Sequence, residues 1–180
     1  MRYLCVLLLV AVLLCPQART ENIDEFKIRS SKVFSSVDNN FSLPKQGVQL
    51  EYRKINDGSA EARKTLFGYH IALDYEELEN ASNFELEGMF AHELSHIESY
   101  IDMNWFDIVI YAVKYQMFPG FRKEVEVNTD RRAIAMGFGT QLKSFREYRL
   151  RTASDSDKER LQKNYLSPEE IRTLTENWIQ

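Results

Sequence analysis

The chain has 180 residues, of which 44% are apolar and 28% are charged. This composition is typical of globular proteins, and the length is enough for one domain with its own hydrophobic core. The net charge of −4 gives no overall basic footprint, so we do not expect nucleic acid as a partner. With only 7 glycines and 4 prolines, the sequence contains no long low-complexity linker.

The first segment predicts a secretory signal sequence over residues 1–18. The stretch from Tyr3 to Cys15 is an unbroken apolar run that ends at Pro16. This run is short for a membrane-spanning helix, although an uncleaved anchor or lipidation at Cys15 is the alternative. Because Cys5 and Cys15 are the only cysteines, the remaining chain, residues 19–180, is expected to form a single domain without disulfides. We therefore expect a secreted or periplasmic protein, or one anchored through its N-terminal segment.

The first half of this domain predicts one helix and two strands. Apolar side chains recur at a loose helical spacing over residues 23–37, and residues 48–53 alternate strictly between apolar and polar. Residues 65–73 read as a second strand, one face of which carries Phe67, Tyr69, Ile71 and Leu73. The two strands predict a hairpin with a long connection, and so a small antiparallel sheet in an α+β fold.

A second helix begins after Ser82, which forms a capping-box pattern with Glu85. Its apolar stripe predicts packing against the core and consists of Phe90, Leu94, Ile97 and Ile101. The adjacent face carries His92-Glu93-Leu94-Ser95-His96, a His-Glu-x-x-His motif. Residues four apart on a helix point the same way one turn apart, so both imidazoles can bind one zinc ion. Glu93 lies at the edge of that face, where it can act as a general base on a water.

The second half predicts mainly helices, including a helical tail over residues 140–180. Residues 104–118 are the most apolar stretch of the domain, and a buried helix is the favoured interpretation. The alternative is a lipid-facing or substrate-facing surface, which would allow peripheral membrane contact. Residues 121–136 predict a further helix, and residues 142–151 predict a basic amphipathic helix whose charges face solvent. Ser167 and Pro168 mark the start of the last helix.

A catalytic zinc site needs a third protein ligand, and we predict Glu126 for this role. Glu126 and Asp130 lie at i and i+4, so one carboxylate can bind the metal while Asp130 accepts the second ring N–H of a histidine ligand. Glu124 is a weaker substitute. Asp102 follows His96 by six residues, but a helix continuing through this region would carry it away from the metal.

These residues resemble those of a gluzincin, one of the zinc metallopeptidase groups. The His92-Glu93-x-x-His96 motif followed by Glu126-x-x-x-Asp130 is similar to the pattern of minigluzincins and of the CAAX-prenyl-protease group. The resemblance covers about residues 66–139 and implies a zincin-like fold with a catalytic core at about 48–139. It also implies that residues 66–73 form the edge strand along which a peptide lies, and it suggests that the tail after Ser154 has an inhibitory role.

We therefore expect an exported zinc metalloendopeptidase with one Zn²⁺ per chain, acting on a peptide or protein substrate. Its ligands are His92, His96 and Glu126, and Glu93 is the general base. The residue that stabilises the oxyanion is left open among Tyr69, His70, Tyr100, Tyr115 and Arg131. Two alternatives are an exported zinc-binding or interaction module without peptidase activity, and a structural helical protein with an accidental motif.

Overall fold

The structure is a computed structural model that describes residues 22–43, 47–56 and 58–178. The proposed signal sequence and both cysteines lie outside this range. The first half comprises α1 (Ile23–Asp38), β1 (Val48–Tyr52), β2 (Ala60–Thr65), β3 (Gly68–Leu73), α2 (Tyr75–Leu78) and α3 (Asn83–Tyr100). The second half comprises α4 (Trp105–Met117), α5 (Pro119–Ala133), a π-helical turn (Ile134–Phe138), α6 (Gly139–Thr152), α7 (Asp155–Asn164) and α8 (Pro168–Trp178). The α+β class is therefore as expected. None of the helices in the described ranges is both long and apolar enough to cross a membrane.

The sheet is mixed, so the expected antiparallel hairpin between the two predicted strands is wrong. Its order is β1-β3-β2, with β1 parallel to β3 and β2 antiparallel to β3. The strand missed from the sequence is β2, which reads Ala-Glu-Ala-Arg-Lys-Thr and has too few large apolar residues to show an alternating pattern. Phe67 lies in the turn between β2 and β3 and is 88% exposed, rather than on the inner face of a strand.

Helix α3 forms the centre of the fold. Ser82 and Glu85 make the predicted capping box, and Phe90, Leu94 and Ile97 are fully buried. Where α3 crosses α6, a Cβ atom on Gly88 would lie 2.3 Å from the backbone of Gln141. Only glycine allows the two helices to approach so closely, and this contact sets the position of α6 relative to the histidine-bearing face of α3.

Helix α4 is largely exposed, although its apolar composition favours burial. None of its residues is buried, so the expectation of a buried helix is wrong. One side, which includes Ile108, Tyr111 and Tyr115, lines a cleft beside α3, while most of its large apolar side chains face outwards. Pro119 occupies the first turn of the next helix, where its missing N–H costs no hydrogen bond.

The C-terminal helices are part of the core. Leu142, Leu161 and Ile171 are buried, each on a different helix of the tail. The prediction that the charges of the basic helix all face solvent is also wrong, because Arg146 and Arg149 are buried. Each has a carboxylate partner from another element, which makes burial of the guanidinium tolerable.

Candidate metal centre

His92 and His96 occupy consecutive turns of α3 and are both buried. Their ring centroids are 4.9 Å apart and the ring planes are nearly perpendicular. The closeness of the two rings follows from the spacing of four residues on a regular helix. The Nε2 atoms of the two rings both face Glu126.

Glu126 comes from α5 and is only 1% exposed. Its Oε2 lies 3.2 Å from Nε2 of His92 and 3.4 Å from Nε2 of His96, and one ligand atom from each residue lies within 4.8 Å of the others. Ligands of a tetrahedral ion with bonds of about 2.0–2.1 Å are about 3.3–3.4 Å apart, so the spacing suits such an ion. Within the described part of the chain, this buried Oε2 has no hydrogen-bond partner. The three residues could therefore bind a metal.

Asp130 orients His92 from the side opposite to the cluster. Nδ1 of His92 lies 2.8 Å from Oδ1 of Asp130, and because a carboxylate only accepts, Nδ1 carries the proton. The fully buried carboxylate also accepts from Nη2 of Arg146, at 3.0 and 3.1 Å, and from the backbone N–H of Leu166 at 3.0 Å. Asp130 thus connects α3, α5, α6 and the segment before α8.

Thr129 orients His96 and was missed from the sequence. Its hydroxyl donates to the carbonyl of Val125 at 2.9 Å, so its oxygen is free to accept from Nδ1 of His96 at 3.3 Å. Glu126, Thr129 and Asp130 lie at i, i+3 and i+4 on one face of α5. That spacing is the signal that could have identified Thr129.

Tyr115 reaches the cluster from α4. Its hydroxyl donates to Oε1 of Glu126, which occupies one carboxylate oxygen and leaves Oε2 to face the imidazoles. Of the other residues considered for oxyanion stabilisation, Tyr100 stacks on His96 with centroids 6.2 Å apart. Tyr69 is buried in the core, His70 lies 2.8 Å from Glu51, and Arg131 is exposed.

The two other carboxylates considered as third ligands do not join the cluster. Asp102 lies in the turn after α3, and Glu124 lies on α5. Both are exposed, and neither belongs to the group of His, Cys, Asp and Glu side chains that could hold an ion. Their positions leave Glu126 as the carboxylate beside the two imidazoles.

Glu93 is buried and borders the same cleft as the two histidines. Burial raises the pKa of its carboxyl group above the ordinary value, while the two imidazoles and a hydrogen bond from the backbone of Ala62 act in the opposite direction. A raised pKa brings a carboxylate closer to that of a water activated by a metal, which suits a general base.

The electrostatics of the cluster favour a positive charge between the ligand atoms. Burial alone would lower the pKa of His92, but the hydrogen bond that His92 donates to Asp130 and the negative charges of Asp130 and Glu126 outweigh it and raise the pKa to about 10. Burial would raise the pKa of Glu126, yet the imidazoles hold it well below its usual value. A metal cation between these atoms would take the place of the proton that charges His92.

The cleft above the cluster has a volume of about 630 Å³ and runs between β2 and α4. On the side of the sheet, the cleft is lined by residues 60–64 of β2. Strand β2 is an edge strand, whereas β3 lies in the middle of the sheet. The expectation that residues 66–73 form the edge strand beside the site is therefore wrong. The edge of β2 that faces away from β3 offers backbone groups to an extended peptide, although the N–H of Ala62 already donates to Glu93.

The tail contributes a wall of the site. The ring of Tyr165 lies 5.7 Å from that of His92, and the guanidinium of Arg146 stacks on Tyr165 at 4.3 Å. Tyr165 lines the cleft, and the neighbouring Leu166 binds Asp130 through its backbone. This segment is thus built into the site.

Comparison of the chain with protein-family models, with curated proteins and with solved structures gives no match.

Proposed function

We propose that the chain is an exported zinc-dependent peptidase in which His92, His96 and Glu126 hold the ion. The observation that carries this proposal is the approach of one buried, unpartnered carboxylate oxygen to two imidazole nitrogens at 3.2 and 3.4 Å. Two nitrogens and one oxygen are a donor set typical of catalytic zinc, which keeps a fourth position open. The resemblance to gluzincins, and the proposed signal sequence, support the same class.

Zinc at such a site supplies a water of lowered pKa and polarises a carbonyl group. In the proposed reaction, Glu93 takes the proton from the attacking water and then delivers it to the departing amine. Asp130 and Thr129 hold the two imidazoles with their Nε2 atoms towards the cleft. The β2 edge orients the substrate backbone, so that the scissile peptide lies beside Glu93.

Metal analysis tests the first half of this proposal. Protein purified without added metal and analysed by mass spectrometry is expected to hold one zinc per chain. Iron(II) also accepts two imidazoles and a carboxylate, and finding iron instead would contradict the zinc assignment. The absence of any metal above background would favour an accidental motif.

Peptide hydrolysis tests the second half. Incubation with a peptide library should give cleavage that a chelator abolishes, and Glu93→Gln should reduce it by about 10²–10⁴-fold or more while zinc stays bound. Glu124→Gln makes the same chemical change at an exposed position of α5 and should leave the rate unchanged. A metal-loaded wild type that cleaves nothing would indicate a zinc-binding module instead.

A further inference from the structure

Helix α4 presents a second apolar face that points away from the cleft. It follows the helical spacing i, i+3, i+4, i+7 and i+11, and its members are Phe106, Val109, Ile110, Val113 and Met117. Trp105 and Phe118 extend it at the two ends, and the seven residues are between 38% and 72% exposed. We call these seven residues the outer face of α4.

The outer face is larger than the apolar patches of ordinary monomers. At roughly 150–250 Å² for a large side chain, the exposed fractions of the seven residues amount to on the order of 600–1,000 Å². The largest patch on a typical monomer is about 300–600 Å². A standard protein interface buries about 800 Å² on each partner, so the outer face has the area that a stable dimer needs.

Two charged residues flank this face on the same side. Asp107 and Lys114 are seven residues apart and exposed, which places them about 10.5 Å apart along the helix axis. They are too distant to pair with each other, and neither forms an ion pair with another residue in the described ranges. Asp107 accepts weakly from the backbone of Asn104, and the ammonium group of Lys114 lies 5.9 Å from the centroid of the Phe121 ring.

We propose that the outer face of α4 binds the same face of a second copy of this chain, with the two helices antiparallel. A two-fold axis between Ile110 and Tyr111 lies midway between Asp107 and Lys114 along the sequence. Rotation about that axis places Asp107 beside Lys114 of the partner subunit, and the same pair forms again by symmetry. The midpoint of the apolar stripe lies one residue further along the chain, so Phe106 comes within about 3 Å, along the helix axis, of the level of Met117 of the partner subunit.

This match in both area and charge is what selects a second copy as the occupant. A lipid surface could also cover apolar side chains, but it has no use for opposite charges spaced symmetrically about the middle of the stripe. The proposal is independent of the metal and of peptidase activity. It also leaves the cleft open, because the opposite side of α4 carries Tyr111 and Tyr115.

Analytical ultracentrifugation tests the proposal over a wide range of protein concentration. The sample is the protein expressed from the whole sequence and purified in the form that its host produces. The wild type should show a monomer–dimer equilibrium. Val113→Asp should abolish the dimer, and Lys114→Asp should weaken it by about ten-fold or more, because each pair becomes repulsive. Lys32→Asp makes the same change on the exposed side of α1 and should have no effect.

The double exchange Asp107→Lys with Lys114→Asp is the decisive variant. It should restore the dimer to within about three-fold of the wild type. Asp107→Lys also removes the helix-capping contact with Asn104, and the double variant retains that defect, so the recovery has to come from the charge pair. A wild type that is monomeric at every concentration, or a dimer indifferent to Val113→Asp and Lys114→Asp, would overturn the proposal. A monomer that binds phosphatidylcholine vesicles and loses this binding in Val113→Asp would make lipid the occupant.

Discussion

Replacing Asp130 by Asn tests the arrangement that holds His92. The carboxylate is fully buried and accepts from His92, from Arg146 through both oxygens, and from the N–H of Leu166. An amide of the same size has one accepting oxygen and a donating NH₂ group. It therefore turns a donor towards at least one of these three donors and leaves the buried guanidinium without a counter-charge.

Two magnitudes follow from that geometry. Removing one partner of a buried ion pair costs about 3–5 kcal/mol, so the free energy of unfolding of the metal-free protein should fall by about this amount. Loss of the hydrogen bond that orients a histidine ligand usually lowers metal affinity by about 10–100-fold, or about 1.4–2.7 kcal/mol. The two effects are separable because they are measured in different experiments.

The free energy of unfolding is measured by urea unfolding of the metal-free protein. The metal affinity is measured by competition with a chelator of known affinity, on protein that circular dichroism shows to be folded. Asp157→Asn is the matched control for metal affinity and should leave it unchanged, because Asp157 pairs with Arg160 at 3.0 Å and lies outside the cluster. If folded Asp130→Asn binds zinc as tightly as the wild type, Asp130 does not orient His92 for a metal.

Three further outcomes are expected. Gly88→Ala should lower the free energy of unfolding by about 1–3 kcal/mol or more, because the new methyl group would lie 2.3 Å from the backbone of Gln141. Gly120→Ala is the control: its methyl group meets no atom within 4 Å, so urea unfolding should be nearly unchanged. Truncation after Ala153 should unfold the chain rather than activate it, because it deletes buried Ile171, and a folded truncated protein with raised activity would restore the inhibitory interpretation of the tail. Removing metal with a chelator should lower the melting temperature and re-addition of zinc should restore it, whereas identical melting curves would mean that no ion binds the folded state.

The side chains that share a helix face at the candidate site could be predicted because they depend on helix geometry alone. His92 and His96 share a face through their spacing on α3, and Glu126 and Asp130 share one on α5. Once each segment is recognised as a helix, the spacing decides which side chains point together. The two faces belong to helices that are far apart in sequence. We paired them because two imidazoles and a carboxylate are donors that suit one metal ion.

The sheet and the burial of α4 could not be predicted, because both depend on partners distant in sequence. The pattern of β2 is weak since Ala60 and Ala62 are its apolar residues, and its place in the sheet comes from pairing with β3. Hydropathy identifies residues 104–118 as apolar but does not say which surface covers them. Arg146 was assigned to solvent for the same reason, because its partner Asp130 lies on another helix.

The N–H of Leu166 that binds Asp130 sets the order in which the site can be completed. Ribosomes release a chain from its N-terminus, so His92, His96 and Glu126 emerge well before residue 166. Until that late segment arrives, Asp130 lacks one of its three donors and Tyr165 is missing from the wall beside His92. A nascent chain therefore cannot complete its candidate metal centre before nearly all of it has been made.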